Sequence, residues 1–337
     1  MNSPVILLLL GVLILALPVF LFHPKKGLIA LLKRYNRDAE KEKIENALKH
    51  IYDCEYREHY CSLESIAGNL GVTSDKSSSI FDDLEKRNLA LTGNEGIKLT
   101  AEGRDYALRL VRIHRLWERY LADETGVDPD QWHIDAEEKE HDLVDSANEI
   151  AEKIGNPVVD PHGDPIPDKD GQIFKLEGKS PLDLERGEIA KIVHIEDEPD
   201  SIYAQLMAQG LYKGMQIQIV EKNDGKIVFS ADGKEVVLAS SFANNLTVAP
   251  ITAKEEIKES FQTLDLLEEN QEAEVVGFSG RIRGQQKRRL MDLGIIPGTK
   301  IKALLKSPFN DPVAYLIRGT TIALRKDQSE GIFIKYA

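Results

Sequence analysis

Glu137, Glu140 and His141 lie in the stretch QWHIDAEEKEHDLVD, with His133 one helical turn upstream. On an α-helix these four positions fall within roughly a 100° sector, so their side chains converge. A second pair, His114 and Glu118, is spaced four apart on the preceding helical segment and shares a face of it. Imidazole nitrogens and carboxylate oxygens without a thiolate suit a divalent ion such as Mn²⁺ or Fe²⁺. One such spacing alone describes a solvated acidic face, while two sets on adjacent helices leave a metal site and a solvated face evenly matched. No nucleophile–base constellation, phosphate loop or zinc-hydrolase motif accompanies them, which argues against an enzyme.

These residues need helices to hold them. Ala101 to Asp123 reads as one long helix carrying His114 and Glu118. Asp128-Pro129 starts the next, with Asp as cap and Pro in the first turn, and the pattern runs to about Ile154. Asn156 to Phe174 (NPVVDPHGDPIPDKDGQIF) is rich in Pro, Gly and Asp and reads as a linker or extended loop. Upstream, Lys41 to Tyr52 places Ile44, Ala47, Leu48 and Ile51 at helical spacing. Leu63 to Leu70 is a short helix that Gly71 ends. Thr73 or Ser74 caps the next, with a buried stripe of Ser77, Ile80, Phe81 and Leu84. Ala90 to Thr92 and Ile97 to Leu99 are two short strands about a Gly93-Asn94-Glu95-Gly96 turn. Helix, turn, helix and small hairpin make a winged helix-turn-helix pattern.

A chain of 337 residues implies two to four modules. A net charge of −13 is a poor match for a protein whose whole surface grips nucleic acid, so any DNA contact is local. Cys54 and Cys61 form neither a CxxC pair nor a disulfide framework and read as reduced thiols. Pro4 to Phe22 (PVILLLLGVLILALPVFLF) is an uncharged apolar run long enough to span a bilayer. Lys25, Lys26, Lys33, Arg34 and Arg37 follow it, which predicts a single-pass signal anchor in the cell membrane with the bulk of the chain cytoplasmic.

From Ser180 the pattern turns to short alternating strands, and it occurs twice. LMAQGLYKGMQIQIV (206–220) matches LMDLGIIPGTKIKAL (290–304) at an offset of 84, while Gly233/Gly319 and Leu238/Leu324 are offset by 86. Two copies of one small β-barrel unit are expected, separated by the charged stretch TAKEEIKES.

With these pieces assembled, the chain resembles the DtxR/MntR family of metal-dependent transcriptional repressors from about Ile44 to Val248. The block LTAEGRDYALRLVRIHRLWERYLADETGVDPDQWHIDAEEKEHDLVD and the loop DPHGDPIP carry that resemblance most specifically. RRLMDLGIIPGT and YLIRGTTIALR resemble a FeoA domain, an SH3-like module associated with ferrous-iron uptake. The apolar run and the resemblance together give an α+β multidomain chain with five parts, the first from the run and the others implied by the resemblance. These are a transmembrane anchor with a basic juxtamembrane segment (1–37), a winged helix-turn-helix DNA-binding domain (38–108) and a helical metal-binding and dimerisation domain with its linker (109–179). An SH3-like, FeoA-like barrel (180–250) and a second FeoA-like barrel (261–337) follow.

By resemblance, Glu137, Glu140 and His141 form a primary metal site, completed from the first helix by Asn46 where the family has Asp or Met. His114, Glu118 and His133 match an ancillary site. A further acidic ligand of manganese-type members falls on Lys49. The barrel ligands of the ancillary site fall near Pro199 and Ile202, with Glu198 or Asp200 as substitutes. Thr73, Lys76, Ser77, Ser79 and Lys86 are the candidate contacts to double-stranded DNA, although Asp75, Asp82 and Asp83 beside them repel phosphate. The implied protein is a homodimeric, membrane-anchored regulator of metal homeostasis. The alternative is a membrane-bound, metal-sensing accessory of a metal transporter that reads no DNA.

Overall fold

The computed structural model describes residues 28–93, 96–223, 225–232, 234–251 and 262–336, grouped into two units, Met1–Val111 and Arg112–Ala337. The predicted anchor over Pro4 to Phe22 and the charged stretch 252–260 lie outside these residues. Among the described residues no helix is long and apolar enough to cross a membrane.

In the first unit, α1 spans Leu28–Tyr56, longer than the periodic stretch that announces it. Ile44, Ala47, Leu48 and Ile51 are buried, and the helix packs against α2 (Leu63–Leu70) and α3 (Ser74–Lys86). Ser62 and Ser65 close a capping box at the start of α2, and Gly71 ends it at φ 61°. Thr73 caps α3 by accepting the Lys76 N–H. Strands β1 (Ala90–Gly93) and β2 (Gly96–Leu99) pair antiparallel with Ala90 opposite Leu99. The turn residues Asn94 and Glu95 lie outside the described residues. Cys61 bridges in parallel to Gly96, fixing the hairpin to the entry of α2. Cys54 and Cys61 are free thiols, both buried.

The boundary between the units falls within α4 (Ala101–Glu124). Downstream, the helix expected to continue to about Ile154 is divided. A 3₁₀ turn at Pro129–Gln131 leads into α5 (Trp132–Leu143), and a second at Val144–Ser146 separates it from α6 (Ala147–Lys153). The break lets the two short helices bury different stripes, with Trp132, Ala136 and Glu140 on one and Ala147 and Ala151 on the other.

The stretch 156–174 is not a linker in its first half. Asp160 accepts the backbone N–H groups of His162, Gly163 and Asp164 at 2.8, 2.7 and 2.9 Å. Val159 bridges to Pro165, and Ile166 is buried. Arg115 donates to the Pro165 carbonyl at 2.6 Å and to Asp164 at 3.2 Å. Pro and Gly here shape a buried loop rather than a tether.

The internal repeat becomes two sheets of one topology. The first contains β3 (Ile189–Ile195), β4 (Gln216–Asn223), β5 (Lys226–Ala231), β6 (Lys234–Ala239) and β7 (Leu246–Pro250), in the order β6-β5-β4-β3-β7. Helix α7 (Asp200–Ala208) follows β3, and α8 (Ser240–Ala243) follows β6. The second opens with β8 (Gln262–Thr263) and β9 (Glu272–Phe278). It continues with α9 (Gly284–Asp292), β10 (Lys300–Lys306), β11 (Val313–Ile317), β12 (Thr320–Leu324), α10 (Lys326–Ser329) and β13 (Ile332–Tyr336). Its order, β12-β11-β10-β9-β13-β8, repeats the first and adds β8. Even the register irregularities recur, between Ile219 and Glu221 in one copy and between Ala303 and Leu305 in the other. Each sheet buries its own apolar face, around Ile192, Ile217 and Phe229 in the first and Val275, Ile301 and Tyr315 in the second.

Candidate metal centre

Four segments of the second unit deliver side chains to one buried place. Helix α4 supplies His114 and Glu118, one turn apart on its buried face. The first turn of α5 supplies His133, and its later turns supply Glu137, Glu140 and His141. The loop held by Asp160 supplies His162. The segment after β3 supplies Asp197.

Glu118 is the centre of the arrangement. Its Oε1 lies 3.2 Å from His114 Nε2, 3.3 Å from His133 Nδ1 and 3.9 Å from His162 Nε2. Asp197 Oδ2 stands 3.5 Å from His133 Nδ1 and 3.9 Å from His162 Nε2. Two ligand triads therefore overlap at Glu118, His114–Glu118–His133 and Glu118–His162–Asp197, each with its atoms within 4.8 Å of one another.

Charge matches this geometry. Burial alone would raise the Glu118 carboxyl, but His114 and His133 beside it outweigh that and hold it well below the usual carboxylate range. Burial alone would lower His133, yet its hydrogen bonds to Asp197 and Glu118 push it up to about 11. Burial also opposes ionisation of Asp197, and His133 and His162 reverse that. Glu118 and Asp197 are thus held ionised beside a protonated His133, and a divalent cation can take that proton's place.

The residues fit such an ion on two grounds. His162 Nε2 is buried with no hydrogen-bond partner, a costly state for a ring nitrogen unless something else uses its lone pair. His114 Nδ1 lies 2.6 Å from Glu140 Oε2. A proton on Nδ1 donated to that carboxylate leaves the Nε2 lone pair facing Glu118, as a ligand nitrogen must. Three neutral imidazoles and two carboxylates would balance a divalent charge, an oxygen-and-nitrogen set suited to Mn²⁺ or Fe²⁺.

The predicted primary triad is drawn together less closely. Glu140 is fully buried between His114 and His141, with His141 Nε2 3.8 Å from its Oε1. Glu137 is largely exposed, and its carboxylate is 3.7 Å from His133 Nε2. Glu137, Glu140 and His141 do not form a triad within 4.8 Å among the described residues. What joins the two predicted sites is His114, which turns one nitrogen to Glu140 and the other to Glu118 and His133. Asn46 and Lys49 belong to the first unit, on α1.

Two members of the cluster do not stand out in the sequence. His162 sits in the loop DPHGDPIP, whose composition signals turn chemistry and not ligands. Asp197 lies a few residues ahead of Pro199 and Ile202, where the resemblance puts the barrel ligands. Pro199 instead precedes α7, and Ile202 packs on the first sheet's core. Glu198 does come within 3.6 Å of His133 Nε2, from an exposed position.

Thr73 at the cap of α3 and Ser79 and Lys86 on it are exposed. Lys76 pairs its ammonium with Glu40 of α1. Ser77 is corrected as a DNA contact: it is fully buried on the packing stripe, and its hydroxyl donates to the Ser74 carbonyl at 2.9 Å.

Residues 100–168 match the family described as iron dependent repressor, metal binding and dimerisation domain, and residues 182–250 and 262–336 match the FeoA domain. The diphtheria toxin repressor of Corynebacterium diphtheriae is 26% identical over 216 residues, 60% of this chain and 94% of its own length. A probable metal transport system membrane protein of Chlamydia pneumoniae is 30% identical over 183 residues, 51% of this chain and 40% of its own. A solved manganese-dependent transcriptional repressor in complex with manganese shares 28% identity at a TM-score of 0.56, covering 61% of this chain and 99% of its own.

Proposed function

From a chain of the DtxR/IdeR family of metal-dependent repressors that carries two FeoA domains, we propose a DNA-binding transcriptional regulator of metal homeostasis that responds to Mn²⁺ or Fe²⁺. The observation that carries the proposal is the buried cluster about Glu118, with a His162 nitrogen that makes no hydrogen bond and His114 set between two carboxylates. The family is one of repressors and not of enzymes.

The ion acts only as far as it binds the DNA-competent state more tightly than the other. In this reading the ancillary ligands His114, Glu118, His133, His162 and Asp197 fix the ion's surroundings. Glu137, Glu140 and His141 present the primary ligands, and Asn46 of α1 is the proposed further ligand. Occupancy then governs the spacing of two recognition helices in a homodimer. Asn46→Asp is expected to tighten Mn²⁺ binding by about tenfold, because a charged oxygen replaces a neutral one on a hard cation. Calorimetric titration checks this, and no gain would mean that α1 does not reach the ion.

Thr73, Lys76, Ser79 and Lys86 are the proposed DNA contacts, supported by their places on one short capped helix. Lys76 exchanges Glu40 for a phosphate when it binds. Anchoring of the chain in the cell membrane through Pro4 to Phe22, with the bulk of it cytoplasmic, is a further part of the proposal and rests on the apolar run alone.

The test is DNA binding by the full chain in detergent micelles, against its own upstream promoter region, with Mn²⁺, Fe²⁺ and Zn²⁺ titrated separately and a chelator control. Metal-dependent, sequence-specific binding is expected. Lys76→Ala should weaken it and flatten the slope of log affinity against log salt by about one. Metal binding with no DNA binding at low salt would instead favour a membrane-bound accessory of a metal transporter, the reading that the FeoA domains and the similarity to the Chlamydia protein support.

A further inference from the structure

The two cysteines of the chain meet a histidine in the first unit, far in chemistry from the oxygen-and-nitrogen cluster. His50 and Cys54 stand one turn apart on α1, and His50 Nε2 is 3.6 Å from Cys54 Sγ. Cys61, just ahead of the Ser62 cap of α2, brings a second sulfur, and the three ligand atoms lie within 4.8 Å of one another. Ser65 Oγ is 3.1 Å from His50 Nε2 and 3.7 Å from Cys61 Sγ. Its own hydroxyl can donate to the Ser62 carbonyl at 2.9 Å while accepting the Ser62 N–H at 3.0 Å, which leaves its second lone pair for a metal ion.

We propose that His50, Cys54 and Cys61 form a second metal site, selective for a thiophilic d¹⁰ cation of the Zn²⁺ class, with Ser65 Oγ at the fourth corner. The edges agree with a tetrahedron. Zinc–sulfur bonds of about 2.3 Å and zinc–nitrogen bonds of about 2.05 Å at a tetrahedral angle put nitrogen and sulfur about 3.6 Å apart. The oxygen edges of 3.1 and 3.7 Å lie within about 0.5 Å of the same figure. Binding removes two thiol protons to solvent, and two thiolates with one neutral imidazole balance a divalent ion. Sulfur ligands separate this site from the other centre, whose ligands are all oxygen and nitrogen. Cys54 and Cys61 are buried while His50 is half-buried, so the ion enters along the histidine edge.

The site has a structural consequence. The Cys61 carbonyl accepts the Ile97 N–H of β2 at 2.9 Å, so an ion held here clamps α1 to the root of the hairpin and to the start of α2.

Because the chain has two cysteines, a thiolate-to-metal charge-transfer band can arise from this cluster alone. The full chain, reduced and stripped of metal in detergent micelles, is titrated with Co²⁺ as the probe and then with Zn²⁺. A saturating sulfur-to-cobalt band is expected, displaced by Zn²⁺, retained in Glu118→Ala and lost in Cys61→Ser. Zn²⁺ should also slow the reaction of both thiols with a disulfide reagent by about tenfold or more. His50→Gln, which keeps both sulfurs, should shift the Co²⁺ titration to about tenfold higher concentration. The absence of the band in the wild-type chain overturns the proposal without recourse to any variant. So does equal thiol reactivity with and without Zn²⁺, or a Cys54–Cys61 disulfide in protein purified from metal-replete cells.

Discussion

Glu118→Ala is expected to cost at least as much Mn²⁺ affinity as Glu140→Ala, on the order of a hundredfold or about 2.7 kcal/mol. From the sequence Glu118 is an ancillary ligand whose loss should only weaken binding. The geometry supports the opposite ranking, since its Oε1 faces three imidazoles within 3.9 Å while Glu140 touches the cluster through His114. Removing Glu118 strips one of two buried carboxylates that balance the cation and leaves three ring nitrogens without their common partner. Removing Glu140 frees the His114 ring to change tautomer and orientation, an effect of about ten- to a hundredfold at comparable sites. Glu140→Gln separates positioning from ligation. Its amide oxygen can still accept from His114 Nδ1, so recovery toward wild-type affinity marks Glu140 as a residue that positions His114. No recovery marks it as a ligand of the ion itself. Calorimetry with Mn²⁺ on variants checked by circular dichroism decides both points, and a Glu118→Ala chain within threefold of wild type would overturn the assignment of the centre.

How far the site is legible depends on whether its residues share an element. His114 with Glu118, and His133 with Glu137 and Glu140, sit at helical spacings, so periodicity alone places each set on a face. His162 and Asp197 come from a loop and a strand exit, where no period relates position to direction. Only the fold of the Asp160 loop turns His162 inward. The same limit explains Ser77. Its place in the stripe with Ile80, Phe81 and Leu84 marks it for burial, while its polarity suggests DNA, and packing decides. The sheets are readable as a repeat because the turn glycines and apolar positions recur. That β8 extends only the second copy is beyond reach, since a strand of two residues carries no pattern.

Gly103→Ala is expected to destabilise the first unit by about 1–3 kcal/mol, the range of an overpacked core position. Ordinary helix energetics predict the opposite, because alanine gains up to about 1 kcal/mol over glycine inside a helix. Packing against the backbone reverses the sign. Thr100 binds the start of α4 to the end of α3, donating its N–H to the Leu89 carbonyl at 3.0 Å and its hydroxyl to the Asn88 carbonyl at 2.7 Å. Its hydroxyl also accepts the Gly103 N–H at 3.0 Å. These bonds press the first turn of α4 onto residue 89, where a Cβ on Gly103 would stand 1.8 Å from the Leu89 oxygen and 2.7 Å from its carbonyl carbon. Both are backbone atoms, so no rotamer change relieves the clash. Either the Thr100 bonds break or β1, which begins at Ala90, shifts with its hairpin. Gly68 provides the control, since it lies within α2 and a methyl group there would meet no atom within 4 Å. Gly68→Ala should therefore be neutral or stabilising by up to about 1 kcal/mol. Denaturant unfolding followed by circular dichroism compares the pair. Opposite signs support the backbone contact, and a Gly103→Ala chain as stable as Gly68→Ala would show that α4 does not rest on Leu89.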